Sequence, residues 1–237
     1  MGRMTARVFI LLLGLTARAS FAQGTFQNLD FESANLPVLP PGQSGGFVPV
    51  SDALPGWQVF YGNNPTTPVA MVGHNFDTAG AINASMFGPN FSGFPRLEGN
   101  FTPLLQSGLS IGSTNAATRS LSIAQSGLVP VFAESLQFKV GGVAPTNFAI
   151  YLGGQSLPLF RLNETPEYTL WGVPVNSFTG QVAELRFTVL SPDNRFFNNI
   201  AVDSFEFLST SVPEPSTWAL LGLGTALLWC AARRRRK

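Results

Sequence analysis

The chain has 237 residues, of which only 11% are charged, and it contains one cysteine and one histidine. A Cys/His zinc site needs about four such ligands and a disulfide framework needs paired cysteines, so both are excluded. Residues 23–212 hold six basic and twelve acidic side chains, a net charge of −6. This acidic balance argues against nucleic-acid binding, which needs a basic footprint.

The first 22 residues have the layout of a secretory signal peptide. Two arginines precede an apolar run at residues 8–15, and Ser20 and Ala22 fit the small-residue positions before a cleavage site. We therefore predict export, removal of residues 1–22 by signal peptidase and a mature N-terminus at Gln23. A buried N-terminal helix is the alternative interpretation of the apolar run.

Residues 23–209 show short apolar alternations separated by turn signals about every ten residues, without long helical periodicity. This pattern predicts one all-β domain, a single antiparallel β-sandwich. In chain order, the predicted strands are residues 26–32, 57–61, 121–125, 135–140, 148–152, 183–189 and 201–207. Gly153 and Gly154, after the fifth strand, predict a hairpin turn.

The order of these segments resembles secreted bacterial jelly rolls of the galactose-binding and carbohydrate-binding-module type. The matching segments, which together cover most of the domain, are residues 28–32, 54–57, 97–101, 178–187 and 200–203. The resemblance implies a jelly roll with a ligand-binding rather than a catalytic role. The same patterns recur in sandwiches with unrelated tasks, so fold and function are separate predictions.

In such modules an acid of the opening strand and one of the closing strand often meet at a structural calcium ion. The positions that match here are Glu32, or Asp30, and Asp203. Calcium takes six to eight oxygen ligands, which two carboxylates with backbone carbonyls and water supply. The alternative is that all three acids are solvent-facing strand and turn residues.

Sugar binding would use exposed aromatic side chains, because their faces pack on the apolar face of a pyranose ring. The candidates are Trp57, Tyr61, Tyr151, Tyr168 and Trp171. For Trp57 and Tyr151, on alternating strands, a place in the core is the favoured interpretation. Trp171, beside Gly172 and near polar residues, is expected to be the most exposed of the five.

Catalysis has weaker sequence support than binding. His74 and Asp77 invite a hydrolase interpretation, but the sequence has no Gly-x-Ser-x-Gly elbow, and a hydrogen-bonding role in a loop is favoured for His74. Glycoside hydrolysis by a carboxylate pair stays open, since only separation in space decides it. The available acids are Glu98, Glu134, Glu164, Glu167 and Glu184.

The C-terminal segment, residues 210–237, combines three features in order. Pro213 and Pro215 force an extended approach, after which Ser216 or Thr217 can cap a helix. Residues 218–232 are uncharged, and a helix of this length spans about 22 Å, which is short for a bilayer core of roughly 30 Å. A basic block follows at once and favours a membrane helix with a cytoplasmic C-terminus.

This segment resembles the PEP-CTERM protein-sorting domain of Gram-negative, exopolysaccharide-producing bacteria. The residues that carry the resemblance are Val212, Pro213, Glu214, Pro215, Ser216, the apolar segment, and Arg233, Arg234, Arg235 and Arg236. The resemblance implies a membrane-embedded exosortase as partner, cleavage near residues 213–215, and release or attachment at the cell surface. An ordinary single-pass tail anchor is the alternative.

Together these features predict an exported protein with a non-catalytic β-sandwich that binds polysaccharide or is embedded in it. The precursor is expected to sit in the inner membrane through its C-terminal helix, and the mature form at the cell surface or outside the cell. An extracellular glycan hydrolase or lyase on the same fold is the second hypothesis. A passive surface protein without a ligand is the third.

Overall fold

The structure, a computed structural model, describes residues 25–62, 67–78, 80–89, 91, 96–109, 118–142, 147–191 and 198–212. The predicted signal peptide and the segment from Pro213 onward lie outside these residues. Fourteen strands occur in the described part: β1 Gly46–Pro49, β2 Gln58–Tyr61, β3 Met71–His74, β4 Asn83–Phe87, β5 Thr102–Leu109, β6 Thr118–Arg119, β7 Leu121–Leu128, β8 Ser135–Gly141, β9 Phe148–Leu152, β10 Gln155–Ser156, β11 Phe160–Glu164, β12 Thr169–Pro174, β13 Val182–Val189 and β14 Asn198–Leu208.

Helical structure there consists of one α-helical turn, Val50–Ala53, and one 3-10 turn, Asn176–Phe178. Neither turn, nor any other described stretch, has the length and apolarity of a membrane-crossing helix. The C-terminal helix predicted at residues 218–232 falls outside the described residues.

The strands form two sheets that pack face to face, which confirms the predicted β-sandwich. The larger sheet has the order β1-β3-β4-β5-β14-β8-β12-β11, with β6 paired to β5, and the smaller has the order β10-β9-β13-β7-β2. All strand pairs are antiparallel except β3 and β4, which run parallel. The predicted hairpin turn at Gly153 and Gly154 joins β9 to β10.

Aromatic rings fill the space between the sheets. Phe138 of β8 lies edge-on to Phe148 of β9, with ring centroids 6.1 Å apart, and Phe187 of β13 stacks on Phe148 at 5.1 Å. Phe205 of β14 stacks on Phe138 at 5.3 Å. Each buried ring removes a large apolar surface from water, so this cluster supplies much of the stability of the sandwich.

The predicted opening strand at residues 26–32 is wrong, because the chain there folds into consecutive turns. Asn28 and Phe31 have positive φ angles of 49° and 58°, which a strand excludes. The Asn28 side chain stabilises the turns, since its amide donates to the Pro55 carbonyl and its oxygen accepts the Ser33 N–H. The turns place the Phe31 ring in the core, stacked on Trp57 at 5.4 Å.

Replacing Phe31 with alanine is expected to lower the free energy of unfolding by about 3–5 kcal/mol, because it opens a cavity between the two sheets. The ring is fully buried against Trp57 and Phe205, so water cannot readily enter the cavity that the substitution leaves. Urea unfolding of the folded domain measures the change. Phe132→Ala, at an exposed ring, is the matched control; equal losses for both variants would contradict the placement of Phe31.

Candidate functional site

The C-terminal end of the folded part is fastened to the sandwich. The Glu134 N–H donates to the Leu208 carbonyl at 2.8 Å, and the Ser135 hydroxyl donates to the Thr210 carbonyl at 2.7 Å. Val212 is buried over β12, where a Cβ atom at Gly172 would come within 3.1 Å of the Val212 Cγ2 atom. The chain is therefore held against the domain up to the residue before Pro213.

Of the predicted sorting residues, only Val212 belongs to the described part of the chain. Residues 213–216 and 233–236 lie outside it. The predicted domain boundary at residue 209 falls between Leu208, the last residue of β14, and the packed Val212.

A groove of about 520 Å³ opens beside the β1 edge of the larger sheet. We call it the His74 groove. It is lined by Leu36, Pro37, Val38, Leu39, Gln43, Ser44, His74, Asn75, Gly88, Pro89, Phe91 and Phe101. Its volume lies in the range of ordinary small-molecule sites, which is roughly 300–1,000 Å³.

His74, the last residue of β3, contributes the most distinctive polar group of the groove. The side chain is only 4% exposed, and its Nδ1 atom is buried without a hydrogen-bond partner. Burial lowers the pKa of His74, so the imidazole is neutral at physiological pH. A buried polar atom without a partner is costly, and a bound hydroxyl or amide would satisfy it.

Asn75 shapes the floor of the groove through an unusual backbone conformation. Its φ angle is 56°, and its side-chain oxygen accepts the Gly88 N–H at 2.8 Å. Gly45 makes the close approach of the neighbouring segment possible, because a Cβ there would lie 2.9 Å from the carbonyl oxygens of His74 and Asn75. The groove is therefore built by fixed backbone contacts rather than by loose side chains.

The groove wall combines aromatic and aliphatic surface with exposed polar groups. Phe91 stacks on Phe87 with ring centroids 4.5 Å apart and an angle of 10° between the planes. Phe101 is half-buried on the same wall, whereas Gln43 and Ser44 are exposed. Such a surface suits a neutral ligand that has one apolar face and several hydroxyl groups.

The predicted calcium ligands occupy different surroundings. Asp203 is fully buried; it accepts the Thr102 hydroxyl at 2.9 Å and the Ser204 N–H at 2.7 Å. The pKa of Asp203 is raised to about 7, chiefly by burial. The hydrogen bonds from Thr102 and Ser204 oppose this shift, and the charges of Glu98 and Glu32 add to it.

Glu98 lies beside Asp203, but its negative charge is stabilised by a cation and by a hydroxyl group. Its carboxylate binds the Lys139 ammonium and the Ser204 hydroxyl. These hydrogen bonds, chiefly the one from Lys139, lower the pKa of Glu98. Between the two pKa values, Glu98 is therefore ionised while Asp203 is protonated.

Glu32 and Asp30 make their hydrogen bonds to groups other than Asp203. The Glu32 carboxylate accepts the backbone N–H groups of Asn100 and Phe101, both at 2.9 Å, whereas Asp30 is exposed and accepts the Glu32 N–H at 3.3 Å. Among the described residues, no three His, Cys, Asp or Glu side chains gather closely enough to hold a metal ion. The predicted set of two carboxylates with backbone carbonyls and water is not tested by this, so calcium binding stays a prediction.

The five aromatic residues considered for sugar binding lie on different parts of the sandwich, and Tyr151 is half-buried on β9. Trp57 is buried in the core, and its Nε1–H donates to the Asn28 carbonyl at 3.0 Å. Tyr61 is half-buried, with its hydroxyl 3.4 Å from the Asn83 Oδ1 atom, and burial raises its pKa. Tyr168 is half-buried beneath the Lys139 ammonium, 5.2 Å from the ring centroid.

Trp171 is not the exposed ring that the sequence predicted. It lies half-buried between the edge of Phe148, at 5.5 Å, and the Arg161 guanidinium, at 5.6 Å. Its Nε1 atom is buried and has no hydrogen-bond partner. Trp171 shares the inward face of β12 with the buried Val173, which is why the neighbouring polar residues do not expose it.

The groove residues were missed from the sequence, apart from His74, for which a hydrogen-bonding role in a loop was favoured over hydrolysis; the structure places it at the end of β3. The available signals were Pro37 and Pro89, which mark non-strand segments on both sides of β3 and β4. Neither signal indicates that the two segments meet.

Three of the five acids considered for hydrolysis are paired with cations, namely Glu98, Glu164 and Glu184.

Comparison with known proteins identifies the C-terminal segment. Residues 211–237 match the family model of the PEP-CTERM protein-sorting motif. The motif supports an exported protein that is sorted by an exosortase. Among curated proteins, no sequence matches this chain.

Two solved structures show a distant likeness to the sandwich. One is the enzymatically active domain of tailspike protein 4 of bacteriophage CBA120, with 11% identity and a TM-score of 0.35 over 65% of this chain; the chain spans 19% of that domain. The other is the K1 cleaved adhesin domain of Lys-gingipain from Porphyromonas gingivalis W83, with 11% identity and a TM-score of 0.36 over 71% of this chain and 100% of that domain. Likenesses this distant assign no role.

The buried Asp203 is expected to make the protein less stable as pH rises from about 4 to about 7. The unfolded carboxyl loses its proton near its ordinary pKa of 3.8, whereas the folded one keeps it to about 7, so the folded state binds more protons in this window. At about 1.4 kcal/mol per pKa unit, the free energy of unfolding falls by on the order of 4 kcal/mol. Asp203→Asn, which is neutral throughout, is expected to remove this fall in urea unfolding at a series of pH values.

Asp30→Asn, at an exposed carboxylate, is the control and should keep the wild-type pH dependence. A fall of equal size in Asp203→Asn and the wild type would contradict the burial of Asp203. The same proteins test calcium above pH 7: calcium bound at Asp203 would raise the unfolding midpoint of the wild type and not of Asp203→Asn. An unchanged wild-type midpoint would contradict the calcium prediction.

Proposed function

We propose that this chain is an exported precursor that an exosortase sorts through its C-terminal motif to the cell surface or its surroundings. The match at residues 211–237 supports the sorting step. The signal-like first 22 residues favour export. The uncharged residues 218–232 and the basic block after them favour a membrane-anchored precursor with a cytoplasmic C-terminus.

The sandwich is proposed to bind neutral polysaccharide of the extracellular matrix in the His74 groove. The observation that carries this proposal is the buried His74 Nδ1 atom without a partner, in a groove of about 520 Å³. The Phe91 and Phe101 rings offer the apolar surface, and Gln43 and Ser44 offer exposed hydrogen-bonding groups. If the wall over His74 opens on binding, a sugar hydroxyl would satisfy the buried imidazole nitrogen.

The groove favours binding over hydrolysis. None of the described residues that line it is Asp or Glu, whereas glycoside hydrolysis requires two carboxyl groups that flank the bond. Among the described lining residues there is also no carboxylate to orient the His74 imidazole as a catalytic base. The acidic net charge of residues 23–212 also suits a protein that stays dispersed in a matrix.

Groove variants are expected to lose binding to exopolysaccharide. Val38→Asp places a charge on the apolar wall, and Gln43→Ala removes a hydrogen-bonding group; both side chains are exposed, so the fold is kept. Each change is expected to weaken binding about five- to tenfold, since one hydrogen bond or one apolar contact is worth about 1 kcal/mol. Affinity electrophoresis of the domain in gels that contain the polysaccharide measures the loss.

Tyr168→Ala, directly before β12, is the control variant because it tests the other predicted aromatic site. Binding lost in the groove variants and kept in Tyr168→Ala supports the His74 groove. The reverse pattern would move the site to Tyr168 and Trp171. Failure of the wild type to bind any polysaccharide would contradict the proposed ligand.

The basic block is expected to be required for sorting, because cytoplasmic positive charge fixes the orientation of a C-terminal helix. Replacing Arg233, Arg234, Arg235 and Arg236 with alanine should leave most of the precursor unprocessed in a host that carries an exosortase. Replacement with lysine keeps the charge and is the matched control. Immunoblots that separate precursor from product measure the outcome, and normal processing of the alanine variant would refute this role.

A further inference from the structure

The turn between β7 and β8 exposes large apolar side chains. Val131 is 80% exposed and Phe132 is 57% exposed, in a turn closed by the bond from the Ala133 N–H to the Pro130 carbonyl at 3.0 Å. Val182, at the start of β13, is 42% exposed. We call Val131, Phe132 and Val182 the apolar tip.

Backbone hydrogen bonds join the segments that carry the apolar tip. The Val129 N–H donates to the Gln181 carbonyl at 2.9 Å, and the Gly180 N–H donates to the Val129 carbonyl at 3.0 Å. The two segments are thus fixed side by side at one end of the sandwich. The tip is a feature of the folded surface and not of a loose loop.

The chain leaves the sandwich at this same end. Leu208, the last residue of β14, pairs with Ser135 at the start of β8, three residues after Phe132. The Glu134 N–H donates to the Leu208 carbonyl at 2.8 Å. The apolar tip is therefore adjacent to the point from which the C-terminal segment departs.

The length of the remaining chain places this end close to a membrane. Val212 is packed over Gly172, and only five residues separate it from Trp218, where the uncharged run of residues 218–232 begins. Six residue steps span at most about 20 Å when fully extended. If residues 218–232 lie in the bilayer, Val212 cannot lie farther from it than this. Val212 packs on Gly172 of β12, two residues before Pro174, which pairs with Ser135 beside the tip.

Charge at this end of the sandwich is sparse. Among the described residues 129–134, 175–182 and 208–212, Glu134 is the only charged one. Contact with a lipid surface therefore requires little desolvation of charge. Exposed Phe and Val side chains gain free energy when they enter the headgroup region.

We propose that the apolar tip rests in the interface of the membrane that holds the precursor. The inference rests on the proposed function, because it needs residues 218–232 to anchor the chain. The contact fixes how the sandwich stands on the bilayer while the sorting motif is processed. Removal of the anchor leaves only the three apolar side chains of the tip in contact with the membrane. These are too few for stable attachment, so cleavage also releases the tip.

The test uses the full chain in vesicles of phosphatidylethanolamine and phosphatidylglycerol. Cys230→Ser removes the only cysteine, and Val131→Cys then takes a spin label at the tip. Leu190→Cys is the matched control, since Leu190 is 38% exposed and follows Val189 at the opposite end of β13. Collision of each label with oxygen and with a water-soluble nickel chelate reports its depth.

The label at residue 131 is expected to have an oxygen-to-nickel accessibility ratio about threefold higher than the label at residue 190. Phe132→Asp is expected to abolish this difference, and Phe132→Leu to keep it. Flotation of the vesicles reports anchoring separately. A chain that floats with equal ratios at both labels overturns the membrane contact alone, whereas a chain that does not float overturns the anchored precursor and the contact with it.

Discussion

A bulge in β14 is the constraint on which the rest of the sandwich depends. Between Asp203 and Glu206, the two residues Ser204 and Phe205 lie opposite the single residue Phe138 of β8. The extra residue directs the Phe205 ring into the core. The Phe205 N–H donates to the Leu29 carbonyl at 2.9 Å, and this bond holds the N-terminal turns in place. Asp203, the residue before the bulge, is fully buried, so the bulge adjoins the core, the N-terminal turns and the buried carboxyl group.

The two pairings of β14 connect this constraint to function. On one side β14 pairs with β5, which leads through β4 and β3 to the His74 groove at the sheet edge. On the other side it pairs with β8, and the chain then leaves past the apolar tip and packs Val212 over Gly172. One sheet thus carries the proposed ligand groove at its β1 edge and the start of the sorting segment over β12, next to its β11 edge.

The sequence predicted the sandwich and its later strands because residues 183–189 alternate and because residues 201–207 carry apolar side chains that face a buried core, although a bulge interrupts their alternation. It failed at residues 26–32, where an alternating pattern is folded into turns by the Asn28 side chain and by the tertiary contacts of Phe31. The sorting segment could be predicted because its proline motif, apolar run and basic block follow one another directly in the sequence. The groove was not, because its residues come from four separate segments that only the fold brings together.

Intact mass spectrometry of the protein recovered from the surface fraction of an exosortase-bearing bacterium tests the central claim most directly. The account predicts one product that begins at Gln23 and ends between Val212 and Pro215, directly after the last packed residue of the sandwich. A surface product whose mass still includes residues 218–237 would contradict processing at the sorting motif. A product that retains residues 1–22 would contradict export through a cleaved signal peptide.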